Sequence, residues 1–381
     1  MKRVLVDVGY LNTAVGGIGT YINQILGEIE SQGEKKFKYI ITPSKNKVSR
    51  SIYLNEKPDR IKSVLHHLEY FLRKQFVLPV LCLYYKVDLL LVPDYVAPFF
   101  CFRTKKVIVL HDAFFWKFPN NYNPLWRRYF VQMIKLGLRG KAGAITTSEY
   151  TKNDLGNFLP IKTILKVVYQ SPKLLPKNEH KVELLEMQLN RKEYILHVGT
   201  FDPRKNLPLL IASFNDLVKS DSKFENIKLV LAGATAESLN QNVILEIRRL
   251  ILEFGIYESV FITGFVNDST LASLYRNALI YVFPSVDEGF GIPIVESFSA
   301  DLPVLVSDKG ALKEIGGDAV LVFNSSDRLD LKLKMERLCQ DVSLRNLLIH
   351  NGRMRLKKFT RDNFFKDLED AIEEISLELK K

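Results

Sequence analysis

Two glutamates flank a glycine-containing turn in the run Ser285-Val286-Asp287-Glu288-Gly289-Phe290-Gly291-Ile292-Pro293-Ile294-Val295-Glu296. The run begins where an apolar, strand-like segment, Ile280 to Pro284, ends. Its two glycines let the backbone approach a ligand closely, and Pro293 is well placed as the first residue of a helix. A helix N-terminus there presents free N–H groups and a positive dipole end, which fit an anion such as a diphosphate. Glu288 falls in the loop and Glu296 about one turn into the helix. Taken alone, Glu296 is equally well a partner of the helix dipole. Two carboxylates around Gly-Phe-Gly are harder to explain as structure alone. A second group is cationic: Arg204 and Lys205 follow the strand-like Tyr194–Gly199. A bidentate guanidinium beside a point-charge ammonium suits a departing diphosphate, although in a bare loop the same pair is only a solvated basic pair. His111 follows the strand-like Lys106–Leu110, and Gly16-Gly17-Ile18-Gly19 follows Arg3–Val8 and opens a helix-like stretch. A lone histidine is by default structural. A glycine cluster is by default a turn, and here Ile22 stands where the dinucleotide fingerprint needs its third glycine.

These residues need strands to carry them to a common edge. Strand-like runs recur at Arg3–Val8, Tyr39–Thr42, Asp88–Pro93, Lys106–Leu110 and Gly143–Thr147, and again at Tyr194–Gly199, Lys228–Ala232, Val260–Thr263, Ile280–Pro284, Val304–Ser307 and Ala319–Phe323. Most are continuous and Val/Ile/Leu-rich rather than alternating, the pattern of parallel strands covered on both faces. Their alternation with helix-like stretches predicts doubly wound α/β sheets, whose ligands bind beyond the carboxyl ends of the strands. The stretch Gln170–Lys192, with Pro172 and Pro176, marks a domain boundary. Phe359–Lys381 reads as an amphipathic helix with Phe364, Phe365, Leu368, Ile372 and Ile375 on one face.

The chain has 381 residues, enough for two cores, with 47% hydrophobic and 25% charged residues, an ordinary globular composition. Cys82, Cys101 and Cys339 are scattered, which suits a reducing compartment, and no Asp-x-Asp or clustered His/Asp pattern suggests a metal. Met1-Lys2-Arg3 runs straight into a strand-like segment, so no secretory leader is expected. The longest apolar run, Phe76–Tyr85, is too short to span a membrane and reads as a buried helix. The net charge of +11 divides unevenly: residues 1–180 hold 28 Lys/Arg against 13 Asp/Glu, the remainder 26 against 30. Such asymmetry points to a polyanionic partner of the first half. No basic-aromatic recognition motif accompanies it, so nucleic acid is not expected, and an anionic membrane surface fits better.

The setting Pro-Ser-x-x-Glu-Gly-Phe-Gly-x-Pro-x-x-Glu resembles the signature of retaining GT-B-fold glycosyltransferases of family four, the Glu-x7-Glu group, which includes bacterial O-antigen and lipid mannosyltransferases and sucrose synthases. The resemblance covers nearly the whole chain. It implies that Glu296 hydrogen-bonds the donor's ribose and that Glu288 lies by the donor sugar's hydroxyls. Backbone amides of Phe290, Gly291 and Ile292 would meet sugar and phosphates. Leu196 to Asn206 resembles the family's first donor-domain strand and loop, and Arg204 and Lys205 match its diphosphate-gripping pair. Gly16 and Gly17 match the glycine loop over the donor phosphates, His111 a histidine facing the reacting sugar, and Thr263-Gly264-Phe265-Val266 the loop whose backbone reads the nucleobase. Ser148 also matches a family position, although a helix N-cap explains it equally well. Two stretches depart from the pattern: Ser297–Asp301, where a glycine is more usual, and Val168–Pro172.

The resemblance implies two Rossmann-like domains facing across a cleft: an acceptor domain at 1–175, completed by the helix 359–381, and a donor domain at 190–355. It implies a metal-independent hexosyltransferase with no cofactor beyond its nucleotide-sugar substrate, a glycan or lipid-linked acceptor in cell-surface polysaccharide synthesis, and a place in the cytoplasm or on the inner face of the cytoplasmic membrane. The Phe201–Asn206 stretch, being similar to that of O-antigen mannosyltransferases, suggests mannose from GDP-mannose. The rival readings are a GT-B nucleotide-sugar epimerase and a catalytically inactive binding subunit. Membrane docking would use Lys45–Lys86, where Arg50, Lys57, Arg60, Lys62, Arg73 and Lys74 surround Leu65, Leu68, Phe71, Leu72 and Phe76, a spacing that a core-facing helix would equally show.

Overall fold

The computed structural model of the chain describes residues 1–12, 16–31, 33–43, 60–176, 189–233 and 241–379. It divides into two compact units, Met1–Gln170 with Arg361–Lys381, and Ser171–Thr360. Each unit is built on a six-stranded sheet in which every pairing is parallel.

The first sheet has the order β2-β1-β3-β4-β5-β6, with β1 Arg3–Asp7, β2 Lys38–Thr42, β3 Leu89–Val92, β4 Lys105–Leu110, β5 Ala142–Thr146 and β6 Ile164–Val167. Only β6 escapes the sequence pattern. It is an edge strand, half-exposed along its length, so its run is short and interrupted by Lys166. Lys166 in turn pairs with Glu374 and Glu378 at 2.8 and 2.7 Å. Those glutamates belong to the last helix, Arg361–Glu378, which buries Phe364, Phe365, Leu368, Ile372 and Ile375 against Val4, Val6, Val107, Val109 and Ile145. Burial of each such side chain contributes roughly 1.5–3 kcal/mol. The fit is tight enough that a Cβ on Gly143 of β5 would lie 2.6 Å from Ile375 Cγ2.

The second sheet has the order β12-β11-β10-β7-β8-β9, with β7 Tyr194–Val198, β8 Lys228–Ala232, β9 Val260–Gly264, β10 Ile280–Phe283, β11 Val304–Ser307 and β12 Val320–Phe323. Its core gathers Ile195, Leu229, Leu231, Ile280 and Val282 under the helices Leu207–Ser220, Gln241–Phe254 and Arg328–Gln340. Asp301, in the stretch where a glycine is more usual, takes the left-handed φ of 53°. The guanidinium of Arg353 grips its carboxylate with two bonds of 2.7 Å.

The region 60–84 corrects two expectations. It forms a helix Arg60–Leu72, a π-helical turn Arg73–Val77 and a helix Leu78–Tyr84. Arg50 and Lys57 lie outside the described residues, as do the side chains of Arg60 and Lys62. Phe76–Tyr85 is not a buried helix: Leu78 and Cys82 are buried, whereas Phe76, Val77, Val80, Leu83, Tyr84 and Tyr85 are exposed, as are Leu65, Leu68 and Leu72 before them. Arg73 and Lys74 do not face outward among these residues. Lys74 is 1% exposed and donates to Asp7 at 2.7 Å and to Asp94 at 2.5 Å. Arg73 donates to Asp7 at 2.8 Å, and the Tyr70 hydroxyl donates to Asp94 at 2.6 Å. The inner face is therefore polar around Tyr70, Arg73 and Lys74 and apolar further on at Leu78 and Cys82, while the outer face carries a run of exposed apolar side chains. Run length fixed the helix, but facing depends on partners at the ends of β1 and β3 that no local pattern reveals.

Burial works against the charge of Asp7, and Lys74 and Arg73 outweigh it, holding the Asp7 carboxyl below its ordinary value. Removing one member of such a network leaves a buried charge uncompensated, which costs about 3–5 kcal/mol. Lys74→Met should therefore destabilise the chain by that amount in urea denaturation. A loss below about 1 kcal/mol, the range of an exposed pair, would show that Lys74 does not bind the helix to the sheet.

Candidate functional site

In the second unit the candidate residues sit at the carboxyl edge of the sheet, around β7 and β10. After β7 the chain makes a short turn, Pro203–Lys205, which Asp202 caps by accepting from the Arg204 N–H at 2.9 Å. Asp202 also pairs with Arg204 Nε at 3.0 Å, so this aspartate, unremarked in the sequence, fixes both backbone and guanidinium. Asn206 then takes a left-handed conformation, φ 52°, and opens the helix Leu207–Ser220. After β10 the loop is tied back to this turn by the Val286 N–H, which donates to the Arg204 carbonyl at 2.8 Å.

That tie brings Lys205 and Glu288 together. Lys205 Nζ donates to Glu288 Oε1 at 2.6 Å and stands 4.8 Å over the Phe283 ring. Both side chains are largely buried, at 12% and 11% exposure, so the pair is far less screened than a surface bridge. Glu288 is held from behind by the turn after β11. The Ala311 N–H donates to its carbonyl at 2.9 Å, and a Cβ on Gly310 (φ 64°) would stand 2.4 Å from its backbone N.

The helix Ile292–Ser299 begins on Gly291, whose φ of 97° and close neighbours Leu312 and Phe283 exclude a side chain. Pro293 is its second residue, where a missing N–H is harmless. Phe290 turns its ring inward against Phe359, 5.9 Å between centroids, which leaves the Phe290–Ile292 backbone as the part that could meet a ligand. Glu296 is buried and accepts from the Tyr275 hydroxyl at 2.8 Å. Burial pushes its carboxyl up to about 7, against the pull of the Tyr275 hydroxyl and the Lys173 charge. Tyr275 is a partner that no sequence signal pointed to, since it comes from the helix Asp268–Asn277. Val266 lies in the loop after β9, two strands from β7 on the same sheet.

In the first unit, Gly16 caps the helix Gly17–Glu30 with φ 85°. His111 follows β4 with its ring buried, edge-on to Tyr21 at 5.0 Å and to Tyr95 at 5.8 Å. His111 Nε2 lies 2.8 Å from the Pro93 carbonyl. A carbonyl only accepts, so Nε2 carries the hydrogen and Nδ1 is a bare acceptor. Burial pulls the imidazole down to about 4, so His111 is neutral near pH 7 and can accept a hydrogen bond rather than donate a proton. Ser148 acts as an N-cap, accepting from the Thr151 N–H at 3.0 Å. Asp7 and Asp94, held by Lys74, also end up at this carboxyl edge. Their signal in the sequence is an acid closing an apolar strand-like run.

Residues 186–355 match the family described as Glycosyl transferases group 1. Among curated proteins, O-antigen chain mannosyltransferase B of Escherichia coli is 28% identical over 266 residues, covering 68% of either chain. O-antigen chain mannosyltransferase RfbU of Salmonella typhimurium is 25% identical over 223 residues, 58% of this chain and 57% of its own length. Among solved structures, sucrose-phosphate synthase from Thermosynechococcus elongatus superposes with a TM-score of 0.74 at 17% identity, covering 98% of this chain and 99% of that one. Anabaena HepE in complex with UDP and glucose gives 0.73 at 15%, covering 98% and 100%. The chain thus has the two-domain α/β fold of GT-B glycosyltransferases.

The raised Glu296 carboxyl makes stability depend on pH. Its folded value of about 7 lies above the ordinary 4.5, so between these the folded chain holds a proton that the unfolded chain has lost. Stability falls across that window, by ~3 kcal/mol in all, and is flat above it. Glu296→Gln should abolish this fall, so that the variant gains on wild type as pH rises from 4.5 to 7. Denaturant unfolding at pH 5 and pH 8 checks it, and parallel curves would mean that Glu296 is not held protonated by its surroundings.

Proposed function

We propose that this chain, whose residues 186–355 are a glycosyl transferases group 1 domain, transfers a hexose with retention from a nucleotide-sugar to a glycan or lipid-linked acceptor. The observation that carries the proposal is the Lys205–Glu288 pair at the carboxyl edge of β7 and β10, beside the N-terminus that Gly291 opens. A cation for the diphosphate and a carboxylate for sugar hydroxyls stand side by side, as a nucleotide-sugar requires. Arg204, Lys205 and the helix N-terminus oppose the negative charge that grows on the leaving nucleoside diphosphate as the sugar–phosphate bond breaks. The oxocarbenium-like sugar then meets the acceptor hydroxyl on the face just vacated, and the leaving phosphate takes that hydroxyl's proton. Glu296 holds the ribose. These protein cations supply the charge that a metal would otherwise bring, so no cofactor is required. GDP-mannose is the first donor to try, because the E. coli and Salmonella relatives are named mannosyltransferases.

A thermal-shift panel of nucleotides comes first, since a ligand that binds only the folded chain stabilises it in proportion to its affinity. With the donor known, Arg204→Ala or Lys205→Ala should lower turnover on the order of a hundredfold, the loss expected for one transition-state charge contact. Turnover should survive EDTA. Wild-type rates in both variants would sink the assignment, and donor turnover without any acceptor would favour an epimerase.

The first unit supports membrane docking as part of the same proposal. No helix among the described residues is long and apolar enough to cross a membrane. The outer stripe Leu65, Leu68, Leu72, Phe76, Val80 and Leu83 is nonetheless exposed. The Phe99 N–H donates to Gln75 at 2.9 Å, which brings the exposed Phe100 and Phe102 beside the stripe. Lys86, just after the helix, and Arg103, next to Phe102 in sequence, are also exposed. Each such cation near an anionic leaflet contributes ~1 kcal/mol. Co-sedimentation should show binding to anionic vesicles that weakens with salt and is lost in Phe76→Glu. Equal partitioning to neutral and anionic vesicles, or none, would reject docking.

A further inference from the structure

The second sheet changes direction between β7 and β10: β8 and β9 extend it on one side of β7, β10 to β12 on the other. Ligands of doubly wound sheets bind outside such a switch point. His197, near the end of β7, is wholly buried there. Its Nδ1 lies 3.0 Å from the Val282 carbonyl of β10. Since that carbonyl only accepts, Nδ1 carries the hydrogen and Nε2 keeps a bare lone pair. The ring stacks on Tyr281, 6.3 Å between centroids and 10° from parallel, which fixes its direction. Nε2 is buried with no hydrogen-bond partner. Burial pulls the imidazole down to about 4, so the lone pair is available near pH 7. A buried acceptor left without a donor is unfavourable and calls for an explanation.

Lys205 is a donor close by, whose charge acts on the imidazole. A Cβ built on Gly199 would stand 3.5 Å from His197 Nε2 and 3.8 Å from Lys205 Nζ, so both groups border the same side of the Gly199 backbone. In the described structure the ammonium lies on Glu288. On the nucleotide-sugar reading, Lys205 must serve the diphosphate and Glu288 the sugar, so the pair has to separate. We propose that His197 is a positioning residue: its Nε2 accepts a hydrogen bond from Lys205 Nζ when a diphosphate draws the ammonium off Glu288. An ammonium has three N–H donors, so it can serve Nε2 and phosphate oxygens together. A neutral acceptor orients the cation without cancelling its charge, whereas a second carboxylate would compete with the diphosphate.

The inference rests on the nucleotide-sugar reading, and the test separates the two. The affinities of GDP against GMP, and of UDP against UMP, are measured by calorimetry for the full chain. Wild type should prefer one diphosphate over its monophosphate about tenfold or more, as expected for a charge-assisted contact to the added phosphate. His197→Phe should lose most of that margin. His197→Asn, which can keep the bond to Val282 but lacks the Nε2 lone pair, should do the same and decides the matter if the phenylalanine variant does not fold. His197→Gln, with an acceptor near the Nε2 position, should restore the margin. In a Lys205→Ala background the His197→Phe change should have no further effect on the margin, because the double-mutant cycle isolates an action through Lys205. A full margin in both His197→Phe and His197→Asn, or an equal loss with and without Lys205, overturns the proposal while leaving the donor reading intact. No diphosphate preference in wild type overturns both.

Discussion

Parallel strands cannot be joined by tight turns. Each must be followed by a crossover, usually helical, that carries the chain back, and so every strand of a sheet ends at the same edge. Most candidate residues in this chain depend on that constraint. Residues distant in sequence become neighbours because each follows a carboxyl end: Lys205 after β7, Glu288 after β10, Gly310 after β11. The same rule in the first sheet sets Asp7 after β1, Asp94 after β3 and His111 after β4. Loops at this edge inherit their positions from a core of fully buried strands, so the side chains they carry are pre-placed rather than gathered by the ligand.

Within that frame, the electrostatics of the second unit are those of a site that satisfies itself. Lys205 is met by Glu288, Arg204 by Asp202 and Glu296 by Tyr275. Such pairing lowers the cost of holding charge in a part-buried place, but it means that a ligand must replace bonds already made. A bare anion would replace the partner of Lys205 and leave Glu288 without one. A ligand carrying both an anion and hydroxyl groups can serve both.

The doubly wound architecture was legible because long apolar runs in parallel sheets leave little ambiguity, and eleven of the strand-like runs became strands. The edge strand β6 was missed because it is short, only partly buried along its length, and its apolar pattern is diluted by Lys166. In the site, the helix start was readable to within one residue: the helix expected to begin on Pro293 begins on Ile292, and that Gly291 would cap it was not foreseen. Partners at long range were not. Nothing near Lys74 in sequence indicates that Asp7 and Asp94 will meet it, so the cations of 73–74 read as surface charge. The orphaned lone pair of His197 and the Tyr275 contact of Glu296 likewise depend on which face of a neighbouring element arrives, a property of the assembled sheet.

The inverted helix of the first unit also limits how the chain can hide its apolar surface. Rolling a helix by one residue turns it about 100° about its axis, enough to tuck an outer stripe toward a core. Here such a roll would drag Lys74 from between two carboxylates and leave Asp7 and Asp94 buried without its charge. The five-residue π turn, which sets Arg73 and Lys74 inward in succession, would have to be unmade as well. The stripe is accordingly held outward by the same contacts that bury Lys74. Whatever covers Phe76 and its neighbours must accept the stripe as it stands, since turning the helix to meet a partner would unmake the charge cluster behind it.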